Sequence, residues 1–134
     1  MTNYTDLINQ AIKARELSYS PYSKFKVGAA LLCSDGTVYT GCNIENASYS
    51  EVVCAERTSF FKAISDGKKD FVAIAIVGGI DEINSFTYPC GACRQVMSEF
   101  CKTDFTIVLF DGKNEKLCTL GDIFPYSFDK GSIK

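Results

Sequence analysis

The nine residues FVAIAIVGG, Phe71–Gly79, form a run without a single charged side chain. A continuous apolar run of this length is typical of a strand that is covered on both faces of a sheet. A second run, FTIVLF at residues 105–110, follows a predicted helix at residues 90–100. A strand, a helix and a strand in this order predict a right-handed parallel crossover.

The segments before this unit extend the sheet and add two helices. The turn signal SDG lies between KFKVGAALLC (residues 24–33) and TVYTGC (residues 37–42), so these two segments are predicted to form a hairpin. The spacing of apolar residues predicts one helix near residues 4–12 and another at about residues 53–65. Both cysteine-bearing helices flank the strand Phe71–Gly79, which predicts that their N-termini converge near one end of the sheet.

The segments after this unit complete the predicted architecture. KLCTL at residues 116–120 follows the turn DGKNE and is predicted to pair antiparallel to residues 105–110. Residues 121–134 are predicted to form a short helix and a tail. The sequence therefore predicts one domain over residues 1–134, of the α/β class, with a three-layer α/β/α arrangement and a mixed five-stranded sheet.

Composition excludes several classes of function. The chain has 134 residues, of which 46% are hydrophobic, and a net charge of −2, and no run of Lys or Arg exceeds two residues. We therefore expect no nucleic-acid partner and a small, nearly neutral substrate. The polar N-terminus and the short apolar runs predict no membrane association, and we expect a cytoplasmic protein with reduced thiols.

The cysteines and the absence of histidine narrow the chemistry. Seven cysteines and no histidine exclude histidine-based triads and histidine-ligated zinc proteases. Cys90 and Cys93 form a C-x-x-C at a predicted helix start, and Cys54 adds a third thiol at another. Three protein ligands leave tetrahedral zinc one open position, as in catalytic sites. The alternative interpretation of the C-x-x-C is a redox dithiol, which no other thioredoxin-like feature supports.

The four remaining cysteines lie in or beside apolar segments. A structural zinc site would need one of them as a fourth ligand, but buried small hydrophobic side chains are the simpler interpretation. They are Cys33, Cys42, Cys101 and Cys118.

Glu56 is the residue that favours catalysis over a purely structural metal. It lies two positions after Cys54, near the predicted helix start. Glutamate is common in the first turn of any helix because of the helix dipole. Beside an open zinc site, however, a carboxylate within reach of water is what general acid–base chemistry requires.

These motifs together resemble one known family. CAE at residues 54–56 is followed by PCGAC at residues 89–93, a signature similar to that of the zinc-dependent nucleoside deaminases. Together with SPYSKFKVGAAL and GCNIENASYS, these motifs resemble the small homotetrameric cytidine deaminases, over roughly residues 7–128. The resemblance implies the cytidine deaminase-like version of the predicted fold.

The resemblance also implies roles for the site residues. Cys54, Cys90 and Cys93 would hold one Zn²⁺ per chain, with water as the fourth ligand. Glu56 would move protons between this water, N3 of cytosine and the departing amine, so that cytidine becomes uridine and ammonia. The remaining implied contacts are Asn43 and Glu45 to the ribose hydroxyls, Phe25 beside the nucleoside, and the Ala55 backbone at the pyrimidine edge.

Two further residues are assigned roles, Arg57 from the charge of the site and Phe128 from the family resemblance. Three thiolates and one Zn²⁺ leave a formal charge of −1, which a guanidinium from Arg57 would offset. The resemblance implies that Phe128 stacks near the base in a neighbouring subunit's site, in a homotetramer with shared sites. Without the resemblance, Asn43 and Glu45 are ordinary turn residues, Arg57 is a surface arginine, and Phe25 and Phe128 are core aromatics.

The predicted function is the hydrolytic deamination of cytidine, and of 2′-deoxycytidine, in pyrimidine salvage. Three alternatives remain open at this point. They are a deaminase of a cytosine-containing nucleoside antibiotic, a polynucleotide-editing deaminase, and a catalytically silent zinc-structural module.

Overall fold

A computed structural model describes residues 3–133 of the chain, so residues 1, 2 and 134 of the predicted domain lie outside the described residues. Its longest helices have 11 residues, and among residues 3–133 no helix is long and apolar enough to cross a membrane. The helices and strands are α1 (Thr5–Arg15), β1 (Lys26–Cys33), β2 (Val38–Cys42), α2 (Ala55–Ser65), β3 (Phe71–Gly79), α3 (Gly91–Phe100), β4 (Thr106–Phe110), β5 (Glu115–Thr119) and α4 (Leu120–Ile123). Two 3₁₀ turns add Tyr49–Glu51 and Lys130–Ile133.

The five strands form one sheet in the order β2-β1-β3-β4-β5. β3 and β4 are parallel, whereas β1–β2, β1–β3 and β4–β5 are antiparallel. The prediction of a mixed five-stranded sheet is confirmed, and so are the hairpin, the parallel crossover and the pairing of the last strand. The antiparallel contact of β1 with β3, which pairs Ala30 with Ala75, joins the hairpin to the crossover.

Alternate residues of the central strands face two separate hydrophobic cores, one on each face of the sheet. The sheet and the helices on its two faces are the three layers of the fold. Leu31, Ile74 and Ile76 pack with α2 and α3 on one face. Ala30 and Ala75 pack with α1 on the other. The side chains of a strand alternate between its two faces, so a strand between two helical layers must be apolar throughout. The FVAIAIVGG run therefore reflects burial on both sides, as predicted.

Two predicted boundaries are wrong by two residues. Lys24 has a φ of 62°, a left-handed conformation that interrupts an extended chain, so β1 begins at Lys26 and not at residue 24. Val53 pairs with Ile44 in an isolated antiparallel bridge, and α2 therefore begins at Ala55. This bridge also ties the polar loop after β2 to the chain that enters α2.

Glycines bring two helices into close contact with the sheet. A Cβ atom at Gly28 would lie 2.0 Å from the carbonyl oxygen of Ala11 in α1. A Cβ atom at Gly41 would lie 2.5 Å from the carbonyl oxygen of Ala55 and 2.6 Å from the backbone nitrogen of Ser59. The absence of a side chain at Gly41 thus lets the first turn of α2 lie directly on β2.

Candidate active site

Three cysteine sulfur atoms meet where α2 and α3 begin. The Sγ of Cys90 lies 3.5 Å from that of Cys54 and 3.5 Å from that of Cys93. All three atoms lie within 4.8 Å of one another, and all seven cysteines are free of disulfides. The predicted convergence of the two helix N-termini is therefore confirmed.

The helix starts explain how the sulfurs converge. Cys54 is the N-cap residue of α2 and Cys90 that of α3, each in an extended conformation, and neither side chain caps its helix. Cys93 lies in the first turn of α3, three residues after Cys90, so that both point to the same side of the helix. The positive end of each helix dipole favours thiolate over thiol at this position.

The donor set fits a zinc ion. Tetrahedral zinc with Zn–S distances of about 2.3 Å separates its sulfur ligands by about 3.8 Å, close to the spacings observed here. Among residues 3–133, these three residues are the group of cysteines and carboxylates that is suitably spaced for a metal ion. Cys54, Cys90 and Cys93 would hold the ion with three thiolates, a ligand number that is typical of catalytic zinc sites.

The surroundings of the sulfurs shift the pKa values of Cys54 and Cys93 in opposite directions. Hydrogen bonding from the Cys93 thiol, and then from Arg57 and Cys90, lowers the pKa of Cys54 to about 5 against the opposing effect of burial. Hydrogen bonding to Cys54 and burial raise the pKa of Cys93. The Nη2 of Arg57 donates to the Sγ of Cys54 at 3.4 Å, and this interaction raises the pKa of the guanidinium. The Arg57 guanidinium thus contacts one of the three sulfurs, and within residues 3–133 its buried Nε has no hydrogen-bond partner.

Glu56 is a buried carboxyl beside this cluster. It is 3% exposed, and burial raises its pKa to about 7, with a further contribution from Cys54. A carboxyl group that titrates near neutral pH can accept a proton in one step and donate it in the next. The site therefore combines a metal-binding cluster with a group that is suited to proton transfer.

A single cleft of about 560 Å³ joins the cluster to the loop after β2. Cys54, Cys90 and Glu56 line it, and so do Asn43 and Glu45. Its volume lies in the range of small-molecule sites. Five of the predicted site residues thus share one cavity.

Asn43 and Glu45 are also bound within the chain itself. The Oδ1 of Asn43 accepts from the Ser18 hydroxyl and from the Val27 backbone, and its Nδ2 donates to the Phe25 carbonyl at 2.8 Å. The Glu45 carboxylate accepts from two backbone N–H groups and from the Ser23 hydroxyl, which lowers its pKa. Both side chains therefore hold the loop before β1 at the edge of the cleft.

The other five predicted site residues do not line this cleft: Cys93 and Arg57, which belong to the sulfur cluster and its surroundings, and Phe25, Ala55 and Phe128. Phe25 is 36% exposed, and its ring packs over Gly78. Ala55 is fully buried at the first position of α2. Phe128 is 63% exposed in the tail, and its carbonyl accepts from the Nε2 of Gln95. Phe128 is therefore not a core aromatic of its own chain.

Comparison with known proteins identifies the family. The family described as "Cytidine and deoxycytidylate deaminase zinc-binding region" matches residues 1–109. The chain belongs to this family. A cytidine deaminase of Sporosarcina psychrophila is 51% identical over 95% of this chain and 92% of its own, and one of Halalkalibacterium halodurans is 50% identical over 91% of each. The crystal structure of cytidine deaminase from Burkholderia pseudomallei superimposes with a TM-score of 0.86 at 46% identity, covering 95% of this chain and 100% of that one.

Membership of the zinc-binding deaminase family settles several expectations. The protein is a hydrolytic deaminase, its cofactor is Zn²⁺, and its fold is that of the solved cytidine deaminases. The alternative of a catalytically silent zinc module is not supported. The relatives at about 50% identity do not favour the antibiotic deaminase either.

The deaminase cleft also contains residues that sequence reasoning missed. Tyr22, Tyr49, Thr87 and Tyr88 all line it. Each lies within a motif that the family resemblance singled out or no more than two residues from one, so proximity along the chain was the available signal. Tyr22, Thr87 and Tyr88 lie in loops and Tyr49 in a 3₁₀ turn, where no periodicity indicates the direction of a side chain.

The four remaining cysteines, Cys33, Cys42, Cys101 and Cys118, do not join the sulfur cluster of the deaminase. Cys33 is buried, and Cys42 is half-buried. Cys101 and Cys118 pack against the core beneath α2 and α3, and burial raises the pKa of both. Their interpretation as small hydrophobic side chains agrees with these positions.

Proposed function

We propose that this enzyme converts cytidine and 2′-deoxycytidine to uridine and 2′-deoxyuridine with release of ammonia, as part of pyrimidine salvage. One observation carries the proposal: two sulfurs of the cluster, those of Cys54 and Cys90, and the buried Glu56 carboxyl line the same cleft, which is of nucleoside size. Curated relatives at about 50% identity that are named cytidine deaminase support the choice of base.

Cys54, Cys90 and Cys93 would hold the zinc. When bound, the ion supplies a Lewis acid that makes water nucleophilic at neutral pH. Glu56 accepts a proton as the water oxygen adds to C4 of the base, and it delivers that proton to N3. It then takes the proton of the new C4 hydroxyl and gives it to the amine, so that the C4–N bond breaks, ammonia leaves and the carbonyl of uridine remains. The reaction consumes one water molecule.

Asn43 and Glu45, which line the cleft, would bind the sugar. Glu45 uses three of its acceptor sites within the chain and keeps lone-pair capacity for a ribose hydroxyl. Among residues 3–133, the Asn43 amide donates one N–H to Phe25 and has no partner for the other. Phe25 and the Ala55 backbone would complete the contacts with the nucleoside, and Arg57 would offset the negative charge of the thiolates.

The direct test measures ammonia release and zinc content in the same preparation. We expect about one zinc per chain, rapid release from cytidine and very slow release from free cytosine, because the polar groups of the sugar site stay unpaired without ribose. Cytidine should also be a better substrate than a cytosine-containing nucleoside antibiotic. Equal rates on cytosine and cytidine would remove Asn43 and Glu45 from the site. A metal-free protein with full activity would contradict the whole proposal.

We further propose a homotetramer in which Phe128 enters a neighbouring subunit's site. The support is that Phe128 is exposed and lies outside its own chain's cleft, in a C-terminal segment whose backbone accepts a hydrogen bond from Gln95 of α3. A closed assembly would cover this aromatic side chain.

Two inactive variants test the shared site. Glu56→Ala and Phe128→Ala, each verified as strongly impaired, are refolded together into mixed tetramers. If one site takes Glu56 and Phe128 from different chains, some mixed sites contain both residues and activity returns. Verified mixed tetramers without recovered activity would rule out the shared site but leave the deaminase proposal standing.

We also propose a cytoplasmic location. Three metal-binding thiols must stay reduced for the site to work, and the cytoplasm keeps thiols in this state. Subcellular fractionation with an activity assay tests this assignment.

A further inference from the structure

Arg94 follows Cys93 directly in α3, and its guanidinium donates to two backbone carbonyls outside that helix. Its Nε donates to the Pro89 carbonyl at 2.7 Å, and its Nη1 donates to the Ile123 carbonyl. Within residues 3–133, the guanidinium has no recorded hydrogen bond to a sulfur, unlike that of Arg57. Any influence of Arg94 on the cluster therefore passes through the backbone.

The carbonyl of Pro89 belongs to the peptide unit that enters Cys90. Arg94 also donates its backbone N–H to the Cys90 carbonyl at 3.0 Å. The two carbonyls on either side of the Cys90 Cα are thus held by one residue. The backbone contact is available to any amino acid in the helix, but the contact with Pro89 requires a side chain of this length and geometry.

Cys90 depends on such support more than its two neighbours do. Cys93 is buried and Cys54 is half-buried, whereas Cys90 is exposed, so packing restrains its side chain least. It precedes the first turn of α3, where no side chain caps the helix. Rotation of the peptide between Pro89 and Cys90 would change φ of Cys90 and swing its sulfur away from the other two.

The contact with Ile123 anchors the guanidinium at its other end. α4 ends at Ile123, and the last carbonyls of a helix have no partner within the helix. Arg94 therefore bridges the cysteine-bearing segment and the end of α4. A planar guanidinium can serve two carbonyls at once, whereas a lysine ammonium on its flexible stem cannot hold both in the same fixed geometry.

We propose that Arg94 is a positioning residue for the metal: by fixing the peptide unit between Pro89 and Cys90, it holds the Cys90 sulfur in place and slows the loss of zinc. This inference rests on the proposed ligand set of Cys54, Cys90 and Cys93. Groups around metal ligands commonly change metal affinity or activity by about 10- to 100-fold when they are removed.

The test compares zinc release into excess chelator for the zinc-loaded wild type and three variants. Arg94→Met keeps the length of the side chain but removes its donors, and zinc release should accelerate by about 10-fold or more. Arg94→Lys should give an intermediate rate. In Gln95→Met, which removes the neighbouring contact with the tail, release should stay within about twofold of the wild type, because surface substitutions have small effects.

Two further measurements separate positioning from general stability. Val108→Ala lowers stability in the core between the sheet and α1, on the face opposite to α2 and α3, and its release rate should stay close to that of the wild type. The sulfur-to-cobalt absorption of the Co²⁺-substituted protein should shift in Arg94→Met and not in Val108→Ala. A wild-type rate and spectrum in Arg94→Met would overturn the proposal, as would equally fast release from Val108→Ala. A wild type that binds no zinc would instead refute the ligand set itself.

Discussion

The first turns of α2 and α3 share a backbone arrangement but carry different side chains. Each follows a cysteine in an extended conformation, with φ of −80° at Cys54 and −70° at Cys90, and neither sulfur caps its helix. α2 continues with a buried glutamate and an arginine that donates to the Cys54 sulfur. α3 continues with Gly91 and Ala92, both exposed, before its second cysteine.

This difference suggests separate roles for the two helix starts: that of α3 binds the metal, and that of α2 also supplies the groups for the reaction. The start of α3 offers two sulfurs and no group that can transfer a proton, and its arginine donates to the backbone. The start of α2 offers one sulfur, a carboxyl and a cation in direct contact with that sulfur. Substitutions at the start of α3 should therefore affect metal content, whereas those in the first turn of α2 should affect turnover with the metal retained.

Cys90→Ser should have the largest effect, because it removes a proposed zinc ligand at the position where the sulfurs of α2 and α3 meet. We expect zinc per chain to fall close to zero, with loss of activity and of much of the stability, since metal binding is coupled to folding. Metal analysis and thermal unfolding measure these losses. Cys42→Ser is the control, because Cys42 lies outside the cluster and its substitution should leave zinc in place. Full zinc content in Cys90→Ser would disprove its role as a ligand.

Glu56→Gln should distinguish most clearly between the proposed roles of the two helix starts, which are turnover for α2 and metal content for α3. The amide keeps the shape of the side chain but cannot shuttle protons, so turnover should fall by at least ~10²-fold while zinc content stays unchanged. Steady-state ammonia release and metal analysis on the same sample test this prediction. Glu51→Gln, at an exposed carboxyl just before α2, serves as the control and should keep normal turnover. Near-normal kcat in Glu56→Gln would show that another group moves the proton.

Arg57→Met tests the cation on the α2 side. Without the guanidinium, the thiolates leave the site more negative, so turnover should fall by about 10-fold with zinc retained. Arg57→Lys should recover part of the rate because it keeps the charge. Lys62→Met, at the other end of α2, is the matched control for loss of a cation. If Arg57→Met and Lys62→Met have equal rates, the charge argument is wrong.

A pair of glycine substitutions should give the smallest effects. A Cβ at Gly41 would meet the backbone of the first turn of α2, so Gly41→Ala should lower the free energy of unfolding by about 1–3 kcal/mol. A Cβ at Gly91 meets nothing within 4 Å, so Gly91→Ala should change it by no more than about 0.5 kcal/mol. Urea unfolding of both zinc-loaded variants makes the comparison, and equal stabilities would refute the close contact of α2 with β2.

The sequence predicted the elements of the fold better than their arrangement. Phe71–Gly79 was predictable as a doubly covered strand because burial on two faces leaves a direct mark on composition. The pairing of β1 with β3 leaves no such mark, since it depends on how the hairpin packs against the crossover. The strand boundary at Lys26 was missed because nothing in the sequence shows that Lys24 adopts a left-handed conformation.

The site was predictable where its residues lie in motifs, and less so where it depends on contacts between loops. Spacing and residue type pointed to the three cysteines, and the structure brings their sulfurs together. The internal hydrogen bonds of Asn43 and Glu45 were not foreseen, because they join segments about 20 residues apart that follow no periodic pattern. The same holds for the contact between Arg94 and Ile123, which are 29 residues apart.

The meeting of Cys54 and Cys90 has a consequence for chain topology. These residues are 36 positions apart, and the segment between them contains α2, β3 and the loop that enters α3. A bridge between their sulfurs closes a loop of that length and reduces the conformational entropy of the unfolded chain. For a covalent bridge, the chain-entropy argument gives about 3–4 kcal/mol of stabilisation at this loop length. On the proposed ligand set, the ion is therefore also a reversible cross-link, which fastens the middle of the chain only while metal is available.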